Sequence, residues 1–246
     1  KGDRRSNWRK KLKDAVSDTT ELDDRLKMLL RPPTRTDDAR KQEKKWKRQS
    51  AERQRRKQKD FERSKEFLLS HVDEIRNPEV DDPSVVTRAQ WYLHERLREK
   101  SNNLTQWTGG NWTDLVQEYG ADVARAYRDG VVAYWRKYQP ILRSEGAPPN
   151  QTPSAVIFGL TGIGVEAAET PDWPAILSEG EAALATRFAC HELNGFPSWF
   201  PRLFEKWPKT ASKVLMGEIE YELTVETEEQ ETHYVLSDVC WSGQWA

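Results

Sequence analysis

The stretch SEGEAALATRFACHELNGFPSWFPRLFEKWPKTASKVLMGEIEYEL (residues 178–223) decides the fold class, because helix start and stop signals divide it into short segments. Ser178 with Glu181 three residues later is a capping box, which marks a helix N-terminus. The Asn194-Gly195 pair supplies a left-handed helix C-cap, and two later prolines prevent a helix from continuing. Apolar residues recur at helical spacing between these signals. Two consecutive helical hairpins are therefore predicted.

The same helical spacing extends upstream to residue 81. Asp82 is a good N-cap and Pro83 suits a first helical position, so a helix is predicted to begin there. A later helix has apolar residues spaced four, four, three and four apart, namely Val123, Tyr127, Val131, Tyr134 and Tyr138. One helix plus hairpin recurs about every 40 residues, which suits HEAT-like units. Residues 81–246 are therefore predicted to form an all-α, HEAT-like helical hairpin array, or α-solenoid.

The segment after Thr152-Pro153 has almost no polar face, so its helix is predicted to be the most buried. It contains Gly159, Gly162 and Gly164, each of which costs roughly 1 kcal/mol relative to Ala inside a helix. Close approach of a neighbouring helix is the expected compensation. Residues 224–236 alternate in polarity and are either a frayed link or a pair of short strands.

Residues 1–80 are predicted to form a basic helical arm. Residues 9–30 are predicted to form an amphipathic helix, in one or two parts, and a second helix is predicted from about Asp37 to Arg76. Apolar residues at helical spacing in its last part are expected to dock on a core, namely Phe61, Leu68, Val72 and Ile75. Residues 40–59 are polar on nearly all sides, which is typical of a helix that faces solvent or depends on a partner.

The composition limits the classes of protein to which this chain can belong. The 246 residues have a mean hydropathy of −0.89 and 32% charged residues, and two cysteines do not form a disulfide framework. Residues 1–80 hold 25 Lys and Arg against 16 Asp and Glu, whereas residues 81–246 hold 14 against 24. No run of apolar residues is long enough to span a membrane and no signal peptide is present, so a cytoplasmic location is expected. Because Lys1 is the first residue and the last ones are apolar, a piece of a longer polypeptide is expected.

The sequence contains parts of phosphate-binding and metal-binding motifs, but none of these motifs is complete. The glycines at 159–164 lack the Gly-Lys-Ser/Thr of a phosphate-binding loop, so they are interpreted as helix packing. His191 lacks a second His four residues later, and Cys190 reads as a small core residue. The carboxylates Glu218, Glu220 and Glu222 are interpreted as a solvated helix face. No catalytic, cofactor-binding or metal-binding residue is predicted, and the chain is predicted not to be an enzyme.

The basic segment provides the candidate binding residues. Residues 40–65 hold 13 Lys and Arg against 4 Asp and Glu. Such cations can neutralise nucleic-acid phosphates, and an aromatic side chain can add stacking. However, pairs at helical spacing such as Glu43–Lys47 and Glu52–Arg56 are also typical of a solvated helix or of one that docks on protein. The candidate nucleic-acid or partner-binding residues are Trp46, Arg53, Arg55, Arg56, Lys57 and Lys59.

Three further tryptophans are candidates for protein-interface anchors, because rigid aromatic side chains dominate interface energetics. They are Trp91, Trp135 and Trp199. They qualify only if they are exposed; otherwise they belong to the core.

Four short segments between Trp112 and Leu223 resemble helical regions of large bacterial multidomain proteins of the NACHT/STAND class. They are AYWR (133–136), GLTG (159–162), LNGFPSW (193–199) and EIEYEL (218–223). Some of those proteins act in antiphage defence, and their helical arrays serve as sensors or scaffolds. The resemblance implies a non-catalytic scaffold or sensor region that recognises other protein domains or subunits in a larger bacterial assembly. The alternative is a nucleic-acid-binding module using the basic helix 40–59; no cofactor and no membrane partner are expected.

Overall fold

All regular secondary structure that the structure describes is helical. The computed structural model describes residues 10–12, 14–15, 19–30, 37–101, 111–148, 151–193, 195–225 and 234–242, and no strand occurs within these ranges. The predicted all-α class is confirmed. The segment 224–236, predicted as a link or a strand pair, lies mostly outside the described residues, as does Asn194. The predicted C-cap at Asn194-Gly195 is wrong, because the helix Glu179–Ala189 ends with Cys190 as its C-cap; Gly195 does have the expected left-handed φ of 90°.

In chain order the helices are α1 (Thr20–Leu30), α2 (Asp37–Ser70), α3 (Val72–Arg76), α4 (Arg88–Lys100), a 3₁₀ turn (Trp112–Leu115), α5 (Val116–Tyr119), α6 (Ala121–Lys137), a 3₁₀ turn (Arg143–Glu145), α7 (Ser154–Glu169), α8 (Glu179–Ala189), α9 (Phe200–Lys206), α10 (Pro208–Thr224) and α11 (Tyr234–Ser242). The predicted helix from Asp37 to Arg76 is interrupted at His71 and is therefore two helices.

The chain divides into two compact units, Lys1–Asp60 and Phe61–Ala246. In the first unit no described side chain is buried. The second unit holds the buried apolar residues. Its boundary lies twenty residues before the predicted one at 80/81, because Phe61, Leu68 and Ile75 pack into a core cluster of the second unit. The predicted docking of these apolar residues is thereby confirmed.

That cluster forms around α6, whose apolar positions recur as predicted. Val123, Tyr127 and Val131 are fully buried, together with Leu93 of α4. The rings of Tyr127 and Phe158 meet edge to face with centroids 5.9 Å apart, which joins α6 to α7. The α6–α7 pair thus forms the centre of the second unit.

The other core cluster joins α7 to α8, α9 and α10. Eleven of the sixteen residues of α7 are buried, so the prediction of a highly buried helix here is confirmed. A Cβ at Gly159 would overlap the ring of Phe188, and a Cβ at Gly162 would overlap the carbonyl of Val131. These two glycines permit close helix packing, as predicted. Gly164 has open space beside it and therefore does not serve this purpose.

The structure confirms the predicted N-cap of α8 and corrects that of α4. The side chain of Ser178 accepts from Glu181 N and the Glu181 carboxylate accepts from Ser178 N, which completes the predicted capping box at α8. In contrast, α4 begins at Arg88 with a capping box between Thr87 and Gln90, five residues later than predicted. Asp82 does not cap this helix; its carboxylate accepts from Ser84 N at 2.8 Å in a turn.

Two buried carboxylates of α10 correct the prediction of a solvated acidic face. Glu218 and Glu222 are both 2% exposed, whereas Glu220 between them is exposed. The Glu218 carboxylate accepts from the backbone N–H groups of Arg143 and Ser144 at 3.2 and 3.1 Å. In the same way, the Glu222 carboxylate accepts from the backbone N–H groups of Val235 and Leu236 in the first turn of α11. Buried carboxylates are retained here because they satisfy orphan donors at helix starts.

Candidate functional site

Residues 37–60 of α2 form a regular helix whose side chains are almost all exposed. Only Glu43 and Ser50 are half-buried, and none is buried. Most helices gain their stability by burying an apolar face, so a helix without one is adapted to solvent or to a partner. This segment is therefore the candidate recognition element.

The cations of this segment are concentrated on one side of the helix. At 100° per residue, six of them fall within a sector of about 100°. Between residues 41 and 59 the only other residue in that sector is Glu52, which pairs with Arg56 at the sector's edge at 2.9 Å. We call this set the basic stripe; it consists of Lys41, Lys44, Lys45, Arg48, Arg55 and Lys59.

The basic stripe is exposed and largely unpaired. All six side chains are exposed. Only Lys41 has an ion-pair partner in the described part of the chain, Asp38 at 4.0 Å. Nearby carboxylates instead pair with cations outside the stripe, as in Lys47–Glu43 at 2.9 Å. The stripe thus keeps a strong positive potential along one face.

The candidate residues from the sequence do not form one surface. Only Arg55 and Lys59 belong to the basic stripe, although all six candidates are exposed. Trp46, Arg53 and Lys57 lie roughly 130–170° round the helix from the centre of the stripe. The sequence interpretation grouped neighbours in the chain, whereas Lys41, Lys44, Lys45 and Arg48 were missed as site residues. Their three- and four-residue spacing was the signal that could have found them.

Trp46 lies on the opposite face and is 64% exposed. Gln42, Glu43, Gln49 and Ser50 lie three or four residues from it, and Arg53 and Lys57 share its side of the helix, so polar side chains surround one large ring. An exposed tryptophan on a helix that is otherwise polar offers an apolar anchor for a second macromolecule. We call this surface the Trp46 face.

The other candidate tryptophans lie in or near the core. Trp135 is fully buried and Trp199 is 6% exposed, so neither can anchor a partner at the surface. Trp135 Nε1 donates to the Glu166 carboxylate at 2.8 Å, which satisfies the indole inside the protein. Trp91 is half-buried and stacks on His94 with centroids 5.0 Å apart.

The Cys190–His191 pair is placed for packing. Burial lowers the pKa of His191 to about 4 and raises the pKa of the Cys190 thiol, so both are neutral near pH 7. A protonated thiol is a weak nucleophile, and Cys190 packs against a core cluster as predicted. A cavity of about 20 Å³, the size of one water molecule, adjoins this pair. Within the described ranges, no three His, Cys, Asp or Glu side chains are placed to hold a metal ion.

An open groove of about 1160 Å³ lies between the last turns of α2, α3 and the start of α4. Arginines and carboxylates both line it, so its charge does not select a ligand of one sign. Phe67, 50% exposed, and Tyr92 contribute apolar surface. Nucleophile–base pairs and groups of metal ligands are not among the described residues that line it.

No family model, no curated protein and no solved structure matches this chain. Among the described residues, no helix combines the length and the apolar character that crossing a membrane requires.

Proposed function

We propose that this chain is a non-catalytic recognition scaffold that binds another protein through the Trp46 face. The observation that carries the proposal is the 64% exposure of Trp46 on a helix segment that buries no side chain of its own. Tryptophan is highly buried on average in proteins and is enriched at the centres of protein interfaces. A ring exposed in this way is the expected anchor for an apolar pocket on a partner subunit.

The second unit supports a scaffold role through the way its polar groups are used. Arg136 donates two hydrogen bonds to Glu166 at 2.9 and 2.7 Å and pairs with Glu181, which ties α6, α7 and α8 together. Glu218 and Glu222 are likewise engaged with helix starts. These charged groups join neighbouring helices, which supports the proposal of a rigid scaffold.

A HEAT-like stacking of helical hairpins is part of this proposal, as is membership of a larger bacterial assembly of the NACHT/STAND kind. Both rest on the period of about 40 residues and on the four resembling segments between Trp112 and Leu223. In this proposal the partner is a protein domain or subunit of that assembly, in the cytoplasm.

The test is site-specific photo-crosslinking in the cells that produce the protein. Replacing Trp46 by p-benzoylphenylalanine is expected to give one dominant protein adduct, and the same replacement at Arg55, on the opposite side of α2, is not. Trp46→Ala in a tagged chain is expected to lower co-purification of that adduct partner at least about tenfold, because anchor residues contribute 2 kcal/mol or more. Equal protein adducts from both positions, or turnover of ATP by the purified chain, would refute the assignment.

A further inference from the structure

We propose that the basic stripe of α2 is a contact surface for the phosphate backbone of double-stranded DNA. This surface is distinct from the Trp46 face and does not depend on the protein partner proposed above. The proposal rests on the number, spacing and unpaired state of the cations, on the length of the stripe and on the absence of aromatic side chains within it.

The charge density of the stripe matches a polyphosphate. Five of its six cations have no ion-pair partner among the described residues, and all six are exposed. Each cation that neutralises a phosphate releases a condensed counterion, which is the main source of sequence-independent DNA affinity. Between residues 41 and 59, Glu52 is the one acidic group in the same sector, and its ion pair with Arg56 screens it. Repulsion from a phosphate backbone is thereby reduced.

The dimensions of the stripe fit a duplex. From Lys41 to Lys59 the helix rises about 27 Å, and each strand has one phosphate per about 3.4 Å of duplex axis, so a stripe laid along that axis spans roughly eight base pairs. The major groove of B-form DNA is about 12 Å wide and admits an α-helix. A-form RNA has a deep, narrow major groove that excludes one. Double-stranded DNA is therefore preferred over double-stranded RNA.

The placement of Trp46 argues against a single-stranded ligand. Proteins that bind single strands combine cations with aromatic rings on which bases stack. No aromatic residue lies in the sector of the stripe, and Trp46 lies roughly 150° away round the helix. Stacking on Trp46 and phosphate contact by the stripe cannot both occur with the same strand. The basic stripe therefore fits a duplex, in which the bases are paired inside and the phosphates lie outside.

The experiment is a fluorescence-anisotropy titration of the full chain with a duplex DNA of about 20 base pairs, which exceeds the span of the stripe. With six phosphate contacts the slope of log affinity against log salt is about −5, so affinity falls about 10³-fold between about 50 and 200 mM salt. The variant Arg48→Glu/Arg55→Glu lies in the stripe. Its matched control is Arg53→Glu/Lys57→Glu, with the same charge change on the opposite side of the same helix.

The stripe variant is expected to bind about 100-fold more weakly at about 0.1 M salt, with a slope nearer −4, because two counterions fewer are released. The control is expected to lose less than about fivefold, since long-range charge effects are screened beyond about 10 Å at that salt. Circular dichroism checks that both variants keep the helix. Trp46→Ala is expected to leave DNA affinity unchanged, so failure of the protein-partner proposal and failure of this one are separable.

Four outcomes would overturn the proposal. Equal losses in the stripe variant and its control would show that net charge alone acts. Binding of a single strand as tightly as the duplex would contradict the geometric argument, and so would equal binding of an RNA duplex. Equal binding of polyglutamate would assign the stripe to an acidic protein surface instead.

Discussion

Glu218→Ala tests whether a buried carboxylate on α10 holds a helix start in place. Its carboxylate is 2% exposed and accepts from the backbone N–H groups of Arg143 and Ser144. Removing the carboxylate leaves two donors at the beginning of a 3₁₀ turn without their acceptor. Alanine is a strong helix former, so the substitution does not weaken α10 itself.

The magnitude follows from the two hydrogen bonds. A hydrogen bond to a charged group contributes about 1.5–3 kcal/mol, and a buried donor left unsatisfied costs about 1–3 kcal/mol. Arg143 is half-buried whereas Ser144 is exposed, so water can replace the acceptor for the second donor more readily than for the first. One strong loss and one reduced loss sum to about 3 kcal/mol. For a unit of this size that lowers Tm by about 6–12 °C.

Glu220→Ala is the matched control. It makes the same chemical change two residues away on the same helix, but the Glu220 side chain is exposed. Its expected effect lies within about 0.5 kcal/mol, as for most surface substitutions. The assay is thermal unfolding of both purified variants at the same pH, followed by circular dichroism. If the two variants unfold at the same temperature, the carboxylate of Glu218 does not cap the turn and the reasoning fails.

Four further substitutions test other contacts by thermal unfolding. Gly162→Ala is expected to destabilise by about 1–2 kcal/mol, since overlap with the Val131 carbonyl outweighs the gain in helix propensity. Gly164→Ala, with open space beside it, is expected to stabilise by up to about 1 kcal/mol, and equal signs would contradict the packing argument. Thr87→Ala is expected to cost about 1 kcal/mol through loss of the α4 cap, and an unchanged Tm would contradict that role. Burial and neighbouring carboxylates raise the pKa of Asp238 to about 6, above about 3.9 in an unfolded chain, so proton uptake stabilises the fold as pH falls through 6. Asp238→Asn is therefore expected to raise Tm more at pH 7.5 than at pH 5, since the destabilisation by the Asp238 charge fades as pH falls from about 6 towards about 3.9, and the same shift at both would refute the coupling.

The sequence predicted correctly those features of the fold that depend on residues close to one another in the chain. The capping box at Ser178 involves residues three apart, and it formed as predicted. The spacing of apolar residues in α6 identified its buried face. Gly159 and Gly162 were interpreted as packing residues because their cost in a helix needs compensation, and both contact a neighbouring helix.

The start of α4 could not be predicted because two local signals competed. Asp82-Pro83 and Thr87 with Gln90 both fit a helix N-terminus. The difference is tertiary: Gln90 Nε2 donates to the carbonyl of Ile75 at 3.0 Å, which fixes the cap at Thr87. The two residues are fifteen apart in the sequence, and helix-capping patterns, which involve residues three apart, do not predict such a contact.

The acidic residues of α10 were misread although the sequence held a signal. Ala211, Leu215, Glu218 and Glu222 are spaced four, three and four residues apart and are all buried. Glu218 and Glu222 thus continue the buried side of α10, whereas Glu220 does not. The charge of these residues favours a solvated face, whereas their position along the helix places Glu218 and Glu222 on its buried side. Which donors the two carboxylates meet depends on chain 13 to 75 residues away and is not a property of α10.

In α2, basic residues that are close in the sequence lie on two different faces of the helix. Arg53, Arg55 and Lys57 are near neighbours in sequence, yet successive steps of two residues turn the helix by about 200°. A ligand on one side can therefore meet Arg55 while Arg53 and Lys57 face away. Lys41, which lies fourteen residues before Arg55, shares its side because fourteen residues complete nearly four turns. The two proposals therefore use opposite sides of one helix, with a protein at Trp46 and a duplex at the basic stripe, and the variants Trp46→Ala and Arg48→Glu/Arg55→Glu separate them.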